Sequence, residues 1–538
     1  MTEQLLLFDA NGPVGFGPRA APDFASCKDL LRHMDRLGIA RSLVWSTQAR
    51  DHHPATGNRA LLDELKALGP ARDRLVPSLV IAPSMLYERG SAQEFVAIVR
   101  AGTTRAVRLF PGTLRFRLRH LEPLIERIAE CKPVLFLDMM DLGGDGYTDL
   151  LAFAERFPQT PIVCMHGMWP TFFNFSLLDL LRRRPNVLVD NSWLHCRATM
   201  VMIVRDFGAE RVVFATGPKA HNGASIAHLQ YAQIDGETRE QIAHRNLEAL
   251  LGLRETRVPA VAAPDAPQAN GLWKKLCAGE PLGVDIVDAH GHLGNVGFWP
   301  VPEREPEEQT AAAIQCMDRL GIRTFICSGE EALFCEPLEG NRSLEETAGR
   351  FGDRVRGYLA FNPFYAERLV PLMDEFFSRP FFVGLKILCD YWQVPVTDAR
   401  FAPALRYAQE HRLPILFHTW QGPYDSPAML KDIVKEYPDA SFLLGHSGGG
   451  DPGRREAEAL AMATENVYLE WCGSFTSRIL WEETLKRVGS ARVVFGTDGI
   501  FHDFAWELGR LLSLDVSEDQ IVPILGGNMR RILALRQE

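Results

Sequence analysis

The stretch Leu413–His446, "LPILFHTWQGPYDSPAMLKDIVKEYPDASFLLGH", begins and ends on a short apolar run that stops at a histidine. "LPILFH" and "SFLLGH" are each strand-length, and the polar segment between them is long enough for a helical crossover. The same alternation extends in both directions. Upstream lie "VDIVDAH" (Val284–His290), "TFICSG" (Thr324–Gly329), "VRGYLAF" (Val355–Phe361) and "FFVGLKIL" (Phe381–Leu388); downstream lie "NVYLEW" (Asn466–Trp471) and "RVVFGTD" (Arg492–Asp498). Segments of helical period such as "EEQTAAAIQCMDRLG" and "DARFAPALRYAQEHR" separate them. Eight short strands alternating with helices predict an all-parallel sheet, and eight is the number that closes a barrel. An open doubly wound sheet is the alternative, but a Gly-rich GxGxxG first turn is missing.

The first half of the chain repeats the second. "MDRLGI" stands at Met34–Ile39 and at Met317–Ile322, and "GNR" at Gly57–Arg59 and Gly340–Arg342. "PVLFL" (Pro133–Leu137) pairs with "PILFH" (Pro414–His418), and "RVVFATG" (Arg211–Gly217) with "RVVFGTD". The order is kept, and each copy spans about 250 residues, the usual size of a (β/α)₈ barrel. The expected fold is therefore α/β, two tandem (β/α)₈ TIM barrels at residues 1–255 and 280–538 packed about a pseudo-twofold axis. The Pro- and Ala-rich stretch within 256–279 reads as a linker.

Bulk composition narrows the function. The chain has 538 residues, 46% hydrophobic and 23% charged, with a formal net charge of −10. That balance and the absence of a basic run argue against nucleic-acid binding. The start, "MTEQLLLFDANGP", lacks the basic region of a secretory signal, and no apolar run reaches the roughly 18 residues of a membrane span. Ten cysteines without paired spacing suit reduced thiols, so a cytoplasmic protein is expected.

In a closed parallel barrel the residues that end the strands face one another at one mouth. In the second copy these are His290 and His292, two apart and therefore on one side of their strand, then His418, His446 and Asp498. Four imidazoles and a carboxylate at one mouth predict a metal site, because such donors suit Zn²⁺ and similar ions and buried polar groups seldom stand unpaired. A metal so held lowers the pKa of water and polarises a substrate oxygen.

The HxH pair, "GLK", "PILFHTW", "LLGHSGG" and "VVFGTD" together resemble the amidohydrolase-2 family, which holds metal-dependent TIM-barrel hydrolases and aminocarboxymuconate semialdehyde decarboxylase-like enzymes. The resemblance covers both copies and is complete in the second. It implies one divalent metal, zinc in the first place and manganese in the second, bound by His290, His292, His418 and Asp498. It also implies His446 just outside as the acid/base group, with Asp498 sharing the catalytic role.

Lys386 closes the fourth strand, where two-metal relatives carry a carboxylated lysine. Read as an ordinary lysine, it pairs with Asp498 or contacts an anionic substrate, and Arg108 at the matching place of the first copy favours a cation there. Trp392, Trp420 and Trp471 are candidates for a pocket wall, as are Tyr391, Gln421 and Glu470 for the mouth. His502, in "FHD", has a counterpart in "AHN" (Ala220–Asn222), which leaves a structural role open for it.

In the first copy Asn11 and Pro13 replace the histidine pair, Leu137 stands for His418 and Gly217 for Asp498, while His166 matches His446. Such a set holds no zinc, so this copy is expected to be metal-free. Either it serves as a built-in partner subunit or it binds a ligand through Arg108, Asp138, His166, Asn191 and Trp193; the chain is expected to be a monomer with an internal pseudo-dimer, or a homo-oligomer. For the whole chain the expected activity is hydrolysis of an amide, lactone or similar bond of a small aromatic or carboxylated substrate. Non-oxidative decarboxylation of an aromatic or unsaturated acid is the alternative.

Overall fold

The protein is described from a computed structural model covering residues 5–537, except 19–21, 144–145, 169–172, 218–221, 258–269 and 474–476. The chain divides into two compact units, Met1–Ala269 and Asn270–Glu538. Of the segment read as a linker, Gly271–Cys277 is helical and belongs to the second unit, with Asn270 capping its first turn through Trp273 N. Residues 258–269 lie outside the described residues.

The first unit contains β1 (Leu7–Val14), β2 (Ile39–Ser46), β3 (Leu75–Pro77), β4 (Leu79–Val80), β5 (Ala106–Leu109), β6 (Val134–Asp138), β7 (Ile162–Met165), β8 (Val187–Asp190) and β9 (Val212–Val213). They form two parallel sheets, β1-β2-β3 and β4 through β9 in chain order. Ala10 N–H, in β1, donates to Phe214 O just past β9 at 3.0 Å. One apolar cluster gathers Phe8, Leu43, Val76, Ala106, Phe136, Val163, Leu188 and Val213.

In the second unit β10 (Ile286–Leu293), β11 (Ile322–Gly329), β12 (Val355–Ala360), β13 (Phe382–Ile387), β14 (Pro414–His418), β15 (Ser441–Gly445), β16 (Val467–Glu470) and β17 (Val493–Val494) make one eight-stranded parallel sheet in that order. Its two ends are tied by Ala289 N–H donating to Phe495 O (2.9 Å) and by a parallel bridge between Gly291 and Gly499. The result is a nearly closed eight-stranded barrel. Inward residues from every strand, including Val287, Ile326, Tyr358, Val383, Leu416, Leu443, Tyr468 and Val494, fill it. Tyr358 is buried there because its hydroxyl donates to Ala289 O at 3.0 Å, which satisfies the polar tip.

Repeated sequence produces repeated local devices within each unit. In "MDRLGI" the glycine is the left-handed cap that ends a helix: Gly38 (φ 82°) after Cys27–Leu37 and Gly321 (φ 75°) after Pro306–Leu320, each N–H returning to the methionine carbonyl. Asn58 exchanges two hydrogen bonds with Val80, and Asn341 does the same with Ala360. Asn186 donates to three carbonyls in a loop, and Asn466 repeats the pattern. Asp9 accepts from Thr216 N and Oγ1, as Asp288 does from Thr497.

Candidate metal centre

β10 brings His290 and His292 to the mouth on the same side of the strand, and Gly291 between them lies against Phe325, where an added Cβ would overlap the ring at 1.9 Å. Asp498, just past β17, sits at φ 59°, and His446, just past β15, at φ 60°. Both take a backbone conformation that costs on the order of 1–3 kcal/mol for a residue with a side chain, the kind of strain that clusters at functional sites. Asp498 Oδ1 lies 3.1 Å from His292 Nε2 and 3.5 Å from His290 Nε2. These three are close enough to share one ion.

What prepares the imidazoles is a ring of carboxylates behind them. His290 Nδ1 faces Glu470 (3.1 Å), His292 Nδ1 faces Glu330 (2.5 Å), and His418 Nδ1 faces Asp425 (2.9 Å). Metal-binding histidines characteristically donate their other nitrogen to a carboxylate, which sets the tautomer and aims the free lone pair at the ion. His446 differs: its Nδ1 faces the Cys472 carbonyl at 3.3 Å. The donor set therefore fits a divalent ion, with His290, His292 and Asp498 at its heart. His418 stands further out, its ring 4.8 Å from that of His446.

Lys386 is wholly buried, and its Nζ lies 2.7 Å from His290 Nε2. An ammonium can only donate, so His290 accepts on Nε2 and carries its proton on Nδ1, towards Glu470. Burial and the Lys386 charge hold His290 well below the ordinary imidazole range, and the same two causes press His418 down to about 4. Burial likewise pushes His446 down to about 3. His292 is the exception: burial opposes its charge, but Glu330 and Asp498 raise it to about 9. Asp498 stays well below the carboxylate range despite burial, because His290 and the hydrogen bond from His292 favour its charged form. Burial lowers Lys386 against the pull of Asp498.

The aromatic candidates separate. Trp420 stacks near His418 (centroids 6.2 Å, 17°) and edges His446 at 5.8 Å, so it does reach the site. Tyr391 meets His418 edge-on at 5.4 Å and is half exposed. Trp471 is instead buried against Trp481 (4.3 Å) under Arg510, and Trp392 donates from Nε1 to Leu333 O while packing on Leu388 and Ala360. Trp471 is thereby used up in core packing, whereas Trp392 stays partly exposed with its indole N–H committed to Leu333. His502 lies beneath Trp299 (5.4 Å) with Glu507 3.6 Å away. Its counterpart, His221, is outside the described residues.

Sequence reasoning did not single out Glu330, Asp425 or Cys472. Cys472 Sγ lies 3.2 Å from His290 Nδ1, and burial and Glu470 hold its thiol protonated. Glu470, named only as a mouth residue, is a hub: Oε2 accepts from His446 N (2.9 Å) as well as His290, and Oε1 from Cys472 N (2.8 Å).

In the first unit the ladder corrects one pairing. Phe136 opposes Val163 and Asp138 opposes Met165, just as Leu416 opposes Leu443 and His418 opposes Gly445. Asp138, not Leu137, therefore holds the position of His418, and Leu137 is an outward core residue with 0% exposure. Asp138 Oδ1 lies 3.4 Å from His166 Nδ1. Asn191 is committed to Ala215 N and Ser225 O, and Trp193 is buried. Among the described residues, groups of ligand-type atoms close enough to share an ion occur in the second unit alone: His290, His292 and Asp498, and His290, His446, Glu470 and Cys472.

A curated relative, protein fluG of Emericella nidulans, is 34% identical over 100 residues, covering 16% of this chain and 11% of its own length. Among solved structures, dihydroxybenzoic acid decarboxylase from Polaromonas sp. JS666, with bound manganese and 2-nitroresorcinol, is 19% identical, covers 47% of this chain and 98% of its own, and has a TM-score of 0.37. A probable 2-pyrone-4,6-dicarboxylic acid hydrolase from Acinetobacter baumannii with citric acid bound is 13% identical, covers 47% and 100%, and has a TM-score of 0.37. At these identities and TM-scores the likeness says nothing of the reaction. Residues 287–535, by contrast, match the sequence model of the amidohydrolase family.

Proposed function

We propose that the second unit is a metal-dependent hydrolase acting on an amide, lactone or similar bond of a small carboxylated substrate. The observation that carries this reading is the set of three histidines whose Nδ1 atoms are each held by a buried carboxylate, around Asp498. A divalent ion bound there, zinc in this proposal, supplies Lewis acidity towards water and a substrate oxygen. The chain's residues supply the rest. His290, His292 and Asp498 hold the ion, with His418 completing the set. Asp498, kept ionised, accepts the proton of the attacking water. His446, whose Nδ1 faces the Cys472 carbonyl in place of a carboxylate, is the neighbouring group proposed to relay that proton to the leaving group. Lys386 places a buried cation beside the reacting centre, suited to a substrate carboxylate. Trp420 and Tyr391 flank the entrance.

The same Lys386 favours one second reading, loss of CO₂ from an unsaturated or aromatic acid, because its buried cation would bind the substrate carboxylate before it leaves as CO₂. Turnover of ester, lactone and amide panels and an aromatic-acid panel in ¹⁸O-labelled water separates the two. Label entering the product supports hydrolysis; release of CO₂ without label in the remaining product replaces it.

For the first unit, we propose a degenerate copy of the same barrel that binds no metal. The shared asparagine, aspartate–threonine and glycine devices support common descent. Arg108 donating to Asn11 Oδ1 at 3.4 Å, where Lys386 meets His290, supports the matching of the two mouths.

A further inference from the structure

We propose that the first unit carries its own small-molecule site, in which Arg108 and His166 bind a small monoanionic carboxylate without a metal. The evidence is a mismatch between donors and acceptors. Arg108, on β5, has 0% exposure, and its Nη2 donates to Ala10 O at 2.7 Å. Its Nε and Nη1 have no hydrogen-bond partner among the described residues, and neither has Nε2 of His166, which is 2% exposed. Buried donors left unpaired are costly, and more so on a guanidinium that cannot give up its charge.

Most of the carboxylate oxygens nearby are already engaged, and none of them accepts from Arg108 Nε or Nη1. Asp9 accepts from Asn11 N and from Thr216 N and Oγ1. Asp190 accepts from His166 N (2.8 Å) and Ser192 Oγ (2.6 Å). Asp138 accepts from Met140 N and faces His166 Nδ1. What Arg108 Nε and Nη1 lack is an acceptor in reach, and a carboxylate is the acceptor that arginine matches best. Three aspartates around one arginine disfavour a doubly charged phosphate, which points to a single negative charge. Burial opposes the charge of His166, but Asp138 on Nδ1 raises it above the ordinary imidazole value, which favours a proton on Nε2, the nitrogen left without a partner. The rings of Trp45 (5.4 Å) and Phe136 (5.6 Å) flank the guanidinium and give the anion an apolar setting. Pro13 and Gly217, where the second unit has His292 and Asp498, bring neither an imidazole nor a carboxylate to this mouth, so no metal ligand competes there for Arg108 and His166.

The test is calorimetric titration of the full chain with acetate and with benzoate, using benzamide as the uncharged control. Arg108→Gln and His166→Ala report on the first unit and Lys386→Gln on the second, with circular dichroism confirming that each variant is folded. A carboxylate-binding event that persists in Lys386→Gln, is absent with benzamide, and weakens at least about tenfold in either first-unit variant is expected. If no carboxylate binding survives in Lys386→Gln, or if what survives is indifferent to both first-unit variants, the proposal is overturned. Because the readout is binding and not turnover, it stands or falls separately from the reaction assigned to the second unit.

Discussion

Replacing Glu470 with glutamine tests whether the carboxylates behind the histidines build the metal centre. The side chain is fully buried, and its two oxygens accept from four donors: His290 Nδ1, His446 N and Cys472 Sγ on Oε2, and Cys472 N on Oε1. Glutamine is nearly the same size but presents one acceptor and one donor. Whichever way the amide turns, its NH₂ confronts at least one N–H at under 3 Å, and the charge that draws the His290 proton to Nδ1 is gone. Nε2 of His290 then becomes a poorer ligand. Loss of such a partner typically weakens metal affinity about 10–100-fold, or about 1.4–2.8 kcal/mol. The assay is competition for Zn²⁺ against a chelator of known affinity, on wild type and Glu470→Gln at one pH, with unfolding midpoints measured alongside. An affinity within twofold of wild type in a folded variant would refute the reasoning.

Asp498→Asn should lose metal and activity together, whereas His446→Asn should keep its metal and lose about 10²–10⁴ in kcat; equal metal loss in both would make His446 a ligand. Gly496→Ala would place a Cβ 2.2 Å from Glu470 Oε1 and 2.7 Å from His290 Cβ, and should lower the denaturant midpoint by the equivalent of about 1–3 kcal/mol while weakening metal binding. Asp9, raised by burial to about 6 from 3.8, favours the folded state most when protonated; that contribution is complete below pH 3.8 and lost as pH rises through 6. Asp9→Asn should therefore flatten the fall in stability between pH 4 and 7 by on the order of 3 kcal/mol, and parallel pH profiles would contradict this.

Much of the second unit could be read from the sequence because the chemistry sits at strand ends. Each apolar run marks a strand, and the residue that breaks it, His290, His418, His446 or Asp498, is the one that faces the mouth. The carboxylates that orient them were harder to see. Glu330 opens a short helix and Asp425 lies in a loop seven residues past His418, so nothing in their local pattern distinguishes them from solvated acids. Trp471 shows the opposite failure: a tryptophan just past a strand end can turn inward to packing as easily as towards a ligand, and only its neighbour Trp481 decides it. The pairing of Leu137 with His418 failed by one residue, because matching "PVLFL" to "PILFH" aligns letters while the parallel ladder aligns side-chain faces.

Metal content per chain, measured by elemental analysis after exhaustive dialysis, tests the central claim most directly. One divalent ion per chain in the wild type, and none in His290→Ala or His292→Ala, is the predicted result. Two retained ions per chain, or a single ion that survives both replacements, would contradict it.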